Sequence, residues 1–177
     1  MKRAVLICVL FLSAAPIAVP AHAGELFGGA YVHDVKLPTD LSGVENGFDL
    51  QLGYRGGRLT TVLGAPLQPY AFGALNTAGE TSYAAAGLSL RFPLGKKVFV
   101  RPGVGLAVHN GSTGDFFRTD KIAFGSRVLF EPELAIGTQL NGRLSIEASW
   151  VHMSHATLFS AENPGIDNLG VRLNLKL

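Results

Sequence analysis

A hydroxyl, an imidazole and a carboxylate lie close together near the end of this chain, in the segment WVHMSHATLFSAENPGIDNLGVRL at positions 150–173. His152 and Ser154 are two residues apart, so on an extended strand they point to the same side. Asp167 follows the turn-forming run Asn163-Pro164-Gly165. A Ser–His–acid set is the chemistry of an activated nucleophile. His152 would take the proton from Ser154, and Asp167 would orient the imidazole and stabilise its charge. The serine would attack an ester carbonyl, with Asn163 as the candidate donor to the oxyanion. That chemistry requires no metal and no organic cofactor.

Strands must position these groups, because period-two alternation dominates the chain after Ala23. In FDLQLGYR, Phe48, Leu50, Leu52 and Tyr54 oppose Asp49, Gln51 and Arg55. In RVLFEPELAIGTQL, Val128, Phe130, Leu134 and Ile136 oppose Arg127, Glu131, Glu133 and Gln139. YAAAGLSLRF and VFVRPGVGLAVH alternate in the same way, with Arg91, Arg101 and His109 on their polar faces. Leu144, Ile146, Ala148 and Trp150 oppose Ser145, Glu147 and Ser149, and Leu169, Val171, Leu173 and Leu175 oppose Asn168, Arg172, Asn174 and Lys176. Segments around Glu25–His33 and Leu67–Asn76 bring the count to eight. Pro102 and Pro132 fall inside strands, where each removes a ladder donor and implies a bulge or local irregularity.

Polar faces that mix both charge signs suit the interior of a small barrel, and the apolar faces then form its outer wall. Connections alternate between tight turns (PLGKK, NGR) and longer loops (KLPTDLSGVEN, GSTGDFFRTD, FSAENPG), as in an outer-membrane barrel with short periplasmic turns. The expected fold is therefore all-β, an eight-stranded antiparallel transmembrane β-barrel. A soluble periplasmic barrel that buries its apolar faces around a ligand is the rival architecture.

Both faces of the last hairpin agree on one register. If His152 lies opposite Asp167, then Trp150 faces Leu169, Ala148 faces Val171, Ile146 faces Leu173 and Leu144 faces Leu175. On the polar side Glu147 then meets Arg172, an opposite-charge pair that favours this alignment. His152, Ser154 and Asp167 share the parity of the apolar face, so all three leave the outer wall, near its loop end. Polar groups on a lipid-facing wall are costly unless they lie near an interface or do a job. Trp150, His152 and His155 also fit the ordinary aromatic and polar rim of a barrel.

The N-terminus bears on the compartment. Lys2 and Arg3, the run AVLICVLFL and the small-x-small site Ala21-His22-Ala23 read as a secretory signal peptide over residues 1–23, with the barrel over 24–177. Cleavage after Ala23 removes Cys8, the one cysteine, so no disulfide or thiolate metal site remains. It also lowers Lys+Arg from 15 to 13, equal to the 13 Asp+Glu. A formally neutral chain offers no basic surface for nucleic acid. No apolar run after the leader is long enough for a spanning helix.

The other candidates are weaker. Glu131 and Glu133 share a face with Arg127, which favours an interior ion-pair network over acid–base chemistry. His33 and His109 have no partner at metal-ligand spacing. Loop cations Lys36, Arg118 and Lys121 stand where lipid phosphates could meet them.

The C-terminal segment resembles the PagL family of outer-membrane lipid A 3-O-deacylases, through H-M-S at 152–154, N-P-G at 163–165 and I-D-N-L-G-V-R-L at 166–173. The resemblance spans about 25 residues and is architectural elsewhere. It implies an eight-stranded barrel in the outer membrane of a Gram-negative bacterium, with His152 as base, Ser154 as nucleophile, Asp167 as acid and Asn163 at the oxyanion hole. The partner it implies is lipid A of lipopolysaccharide in the outer leaflet, and homodimerisation is left open. Three features differ from the family pattern: the acid is typically Glu, the residue after the serine is usually Asn rather than His155, and the loop is one residue longer. Strand patterns alone fit equally a non-catalytic structural or adhesive barrel, since fold does not determine function.

Overall fold

A computed structural model describes residues 24–37, 44–114, 122–159 and 163–177. The expected leader, residues 1–23, lies outside the described residues, as do Arg118 and Lys121. The strands, in chain order, are β1 (Glu25–Val32), β2 (Phe48–Arg55), β3 (Thr60–Val62), β4 (Ala65–Asn76) and β5 (Tyr83–Leu90). They continue with β6 (Phe92–Pro93), β7 (Val98–His109), β8 (Val128–Gln139), β9 (Leu144–Met153) and β10 (Ile166–Lys176).

Eight of these close into an antiparallel barrel. Each pairs with its neighbour in the chain, β1 with β10 and β2 with β4 complete the ring, and β3 and β6 are short additions to β4 and β7. Closure leaves none of the eight barrel strands without a neighbour on either side, which a wall standing in hydrocarbon requires. β3 was not apparent from alternation. It folds onto β4 through Leu63 and Gly64, whose φ angles of 50° and 80° give the doubly left-handed turn that a two-residue hairpin favours.

The two faces sort as the alternation implies. Leu52 and Leu75 on the outer wall are 71% and 69% exposed, whereas Asp49, Arg55, Arg101, Glu131, Glu147 and Arg172 are buried in the lumen. An apolar surface of this extent around a polar, close-packed interior inverts a soluble protein and matches a wall solvated by lipid. The soluble alternative, with apolar faces buried, is not what forms.

In the lumen, Arg172 donates from Nη1 to Glu133 at 2.9 Å and from Nε to Glu147 at 2.8 Å, and Arg101 Nε reaches Glu147 at 2.9 Å. Arg55 pairs with Glu25, and Tyr70 donates to Glu131. The guanidinium groups of Arg55 and Arg172 lie 4.8 and 4.9 Å from the centroid of the Phe27 ring. Charges removed from water persist only when paired. Each of these guanidinium groups has a carboxylate partner, although Arg55 Nε, Arg172 Nη2 and Glu131 Oε1 find no hydrogen bond among the described residues. Towards the loop end the filling turns apolar, with Tyr31, Phe72, Tyr83, Phe124, Leu129, Val151, Met153 and Ile166 in one cluster. Arg127 departs from expectation: it precedes β8, is exposed, and donates to the carbonyls of His109 and Gly111, so Glu131 and Glu133 find other partners. Lys176 likewise emerges at the periplasmic rim rather than inside.

The two prolines interrupt ladders without shifting them. β7 keeps one register against β8 throughout, from Val98–Thr138 to Val108–Val128, so there is no bulge in that pair. Pro102 lies where the strand facing β7 breaks between β5 and β6. Pro132 lies where the β8–β9 ladder stops after Glu133–Val151 and resumes as an isolated Phe130–Ser154 bridge. A missing N–H removes a bond but adds no residue, and only an added residue makes a bulge.

Candidate active site

β9 and β10 bring His152 and Asp167 together. Their register pairs His152 with Asp167, Trp150 with Leu169, Ala148 with Val171, Glu147 with Arg172, Ile146 with Leu173 and Leu144 with Leu175. Alternation is fixed by this alignment, so His152 and Asp167 leave the same, outer face of the hairpin. Imidazole Nδ1 lies 2.9 Å from Asp167 Oδ1. Asp167 belongs to the outward set yet is only 2% exposed, because side chains on β9 roof it over. The Trp150 indole donates to the same Oδ1 at 2.6 Å, and its ring stacks on His152 with centroids 5.8 Å apart. Trp150, read from sequence as a rim aromatic, is thus a direct partner of the acid. Only its neighbourhood on the strand pointed that way.

Ser154 continues the parity of His152 just past the end of β9. Its backbone is held by two bonds to Phe130 across the β8 ladder, N–H to carbonyl at 3.1 Å and the reverse at 2.7 Å. Among the described residues no hydrogen bond joins the Ser154 hydroxyl to His152. Both side chains are half-buried on the wall. The gap at Pro132 falls across from His152, so the backbone beside the imidazole is released from the ladder on that side.

After Ser154 the chain reverses. Ala156 and Thr157 take φ angles of 52° and 59°, and Gly165 takes 71° immediately before β10. A glycine is the residue that adopts that last value without strain. Asn163 holds the returning loop: its Oδ1 accepts the backbone N–H of His155 at 2.8 Å, which orients its amide donors the other way. His155 is fully buried rather than on the rim, against the ring of Phe159 at 5.8 Å. Phe159 also stacks on Phe130, centroids 6.4 Å apart, so an aromatic pair flanks the serine. Sequence reasoning missed that pair, whose members come from different strands and loops.

The start of β10 is tied to the first loop. Val35 N–H donates to the carbonyl of Asp167 at 2.7 Å, and Asp34 N–H donates to Asn168 Oδ1 at 2.9 Å. That loop is anchored by His33, whose two ring nitrogens each lie 3.0 Å from a carboxylate oxygen, of Asp49 and of Glu45. Burial alone would lower the His33 pKa, but the hydrogen bonds and charges of Asp49 and Glu45 outweigh it and push it up to about 9. Burial also opposes the charge on Glu45. His33 and the donors of Thr81 and Ile122 nonetheless hold its carboxyl below the usual range. One carboxylate therefore gathers three loops. His109 Nε2 donates to the carbonyl oxygen of Ser126 at 2.8 Å, and Lys36 is exposed.

The geometry provides an imidazole held at Nδ1 by a buried carboxylate, with a half-buried serine two residues further along the same strand direction. The model of one protein family, described as lipid A 3-O-deacylase (PagL), matches residues 41–176. No curated protein matches. Among solved structures, the chain resembles a crystal structure of the outer membrane enzyme PagL, with 17% identity, a TM-score of 0.62, and 86% of this chain and 99% of that one covered. It also resembles a de novo designed transmembrane β-barrel (6% identity, TM-score 0.55, covering 88% and 95%). A third likeness is to the Yersinia pestis outer membrane protein Ail in a phospholipid bilayer nanodisc (12% identity, TM-score 0.50, covering 88% and 99%). At these identities the solved structures speak for the fold.

Proposed function

The chain belongs to the lipid A 3-O-deacylase (PagL) family, and from that premise we propose that it is a serine esterase that removes an ester-linked acyl chain from lipid A of lipopolysaccharide. Its compartment is the outer membrane of a Gram-negative bacterium. Residues 1–23 serve as the export signal, cleaved after Ala23, and residues 24–177 form the barrel.

In the reaction, Ser154 Oγ bonds to the ester carbonyl carbon as its proton passes to His152 Nε2. Asp167 stabilises the imidazolium through Nδ1–H. The oxyanion of the tetrahedral intermediate accepts from the amide of Asn163. Collapse breaks the bond to the sugar oxygen, which takes the proton from His152. Water then attacks the acyl-serine with His152 as base, releasing the fatty acid and restoring the hydroxyl. A site on the outer wall meets its lipid without lifting it from the leaflet.

The observation that carries this reading is the 2.9 Å approach of His152 Nδ1 to a buried carboxylate on the lipid-facing side of the barrel. A structural or adhesive barrel has no use for that placement, which costs desolvation. The test is acyl-chain release from purified lipopolysaccharide, read by mass spectrometry, with refolded protein and its Ser154→Ala variant. Loss of one ester-linked chain with the parent alone supports the esterase and its nucleophile. No release by either, from barrels shown to be folded, replaces it with the non-catalytic barrel.

A further inference from the structure

Trp150 does more than sit at a membrane interface. It is on β9 opposite Leu169, so Asp167 is its diagonal neighbour across the hairpin, a separation that a long aromatic side chain spans. Its indole N–H meets Asp167 Oδ1 at 2.6 Å, and that oxygen is also the one 2.9 Å from His152 Nδ1. An interfacial anchor needs an indole near the headgroups. It does not need a short bond to a carboxylate that is 2% exposed.

The chemistry of the three groups makes the arrangement directional. An indole nitrogen only donates, so Oδ1 acts as an acceptor towards Trp150. Nδ1 of His152, facing the same acceptor, then carries the proton, and in the neutral imidazole the lone pair is left on Nε2. The indole plane also lies against the imidazole, 27° from parallel, and limits its rotation. A short acid needs such help. Asp carries its charge close to the backbone, and a second donor fixes which oxygen it presents.

We propose that Trp150 is a positioning residue of this site: its indole N–H holds Asp167 so that His152 presents Nε2 to Ser154. This rests on the esterase reading above. Trp150 touches neither the ester nor the nucleophile and acts through the acid.

Two measurements test it. The chain contains a single tryptophan, so the ¹⁵N-labelled barrel in detergent yields one indole N–H resonance. The expected result is a downfield proton that moves upfield in Asp167→Ala. An unmoved resonance means that no such bond exists and overturns the proposal without reference to activity. The second measurement is lipid A deacylation by Trp150→Phe, which keeps an aromatic ring and loses the donor. The expected loss is about tenfold in kcat with KM little changed, the scale of one hydrogen bond to a charged group. In an Asp167→Ala background, which removes the acceptor, the same substitution should cost nothing more, because its route is already cut. Unchanged kcat in Trp150→Phe, or an equal loss in both backgrounds, leaves Trp150 a packing residue and overturns the proposal while the esterase stands. A folded parent without deacylase activity removes the reaction that Trp150 would serve and overturns both readings.

Discussion

Val35 donates its backbone N–H to the carbonyl oxygen of Asp167 at 2.7 Å, so the candidate acid is held from the first loop as well as from its own hairpin. That loop is in turn fastened by His33 between Asp49 and Glu45. The position of the carboxylate therefore depends on a charge cluster on the far side of β1.

The cluster makes the loop end sensitive to pH. The folded pKa of His33 is raised to about 9, so its stabilising contribution is complete below the unfolded value of roughly 6.5 and fades as pH rises through 9. Glu45 is shifted down, so its contribution is present above its unfolded value and is lost as pH falls through the folded one. Amide hydrogen exchange at Val35 and Glu45, corrected for intrinsic rates, should stay slow near neutrality and accelerate above about pH 9. Exchange at those amides indifferent to pH across that range would show that the ion pairs do not hold the loop.

Arg172 is the hub of the lumen, joined to Glu133 and Glu147. Arg172→Met leaves two buried carboxylates short of their partner. It should destabilise the barrel by about 3–5 kcal/mol, as removal of one member of a buried ion network does. Reversible denaturant unfolding in lipid vesicles reads this directly. A loss under about 1 kcal/mol would mean that water has entered and screened the remaining acids.

The outer wall offers the opposite test. Val171 points outward from β10, opposite Ala148. Val171→Arg should cost about 2–4 kcal/mol in a bilayer if the residue lies near the midplane. The same unfolding measurement gives the value. A neutral result would place this strip of wall in water or against another protein.

Much of this arrangement was legible in the sequence. The last hairpin was fixed because two independent constraints, apolar partners outside and Glu147 with Arg172 inside, agree on one register. The second partner of the acid was not. Whether Trp150 reaches Asp167 depends on side-chain rotamers across a diagonal, which alternation does not encode. The grouping of His33 with Glu45 and Asp49 joins two loop residues to one strand, and its spacing in the chain carries no periodic signal. Pro102 and Pro132 announced disturbed ladders but not their form, since telling a gap from a bulge requires knowing how many residues stand opposite. Arg127 had the parity of a lumen residue, and only the start of β8 one residue later puts it outside.

The packed lumen has a consequence for the cell. Among the described residues Arg55, Arg101, Arg172, Phe27 and Tyr31 are all essentially inaccessible, so side chains rather than water fill the lumen around them. A barrel filled in this way is expected to conduct no ions, which a planar-bilayer recording of the refolded protein checks.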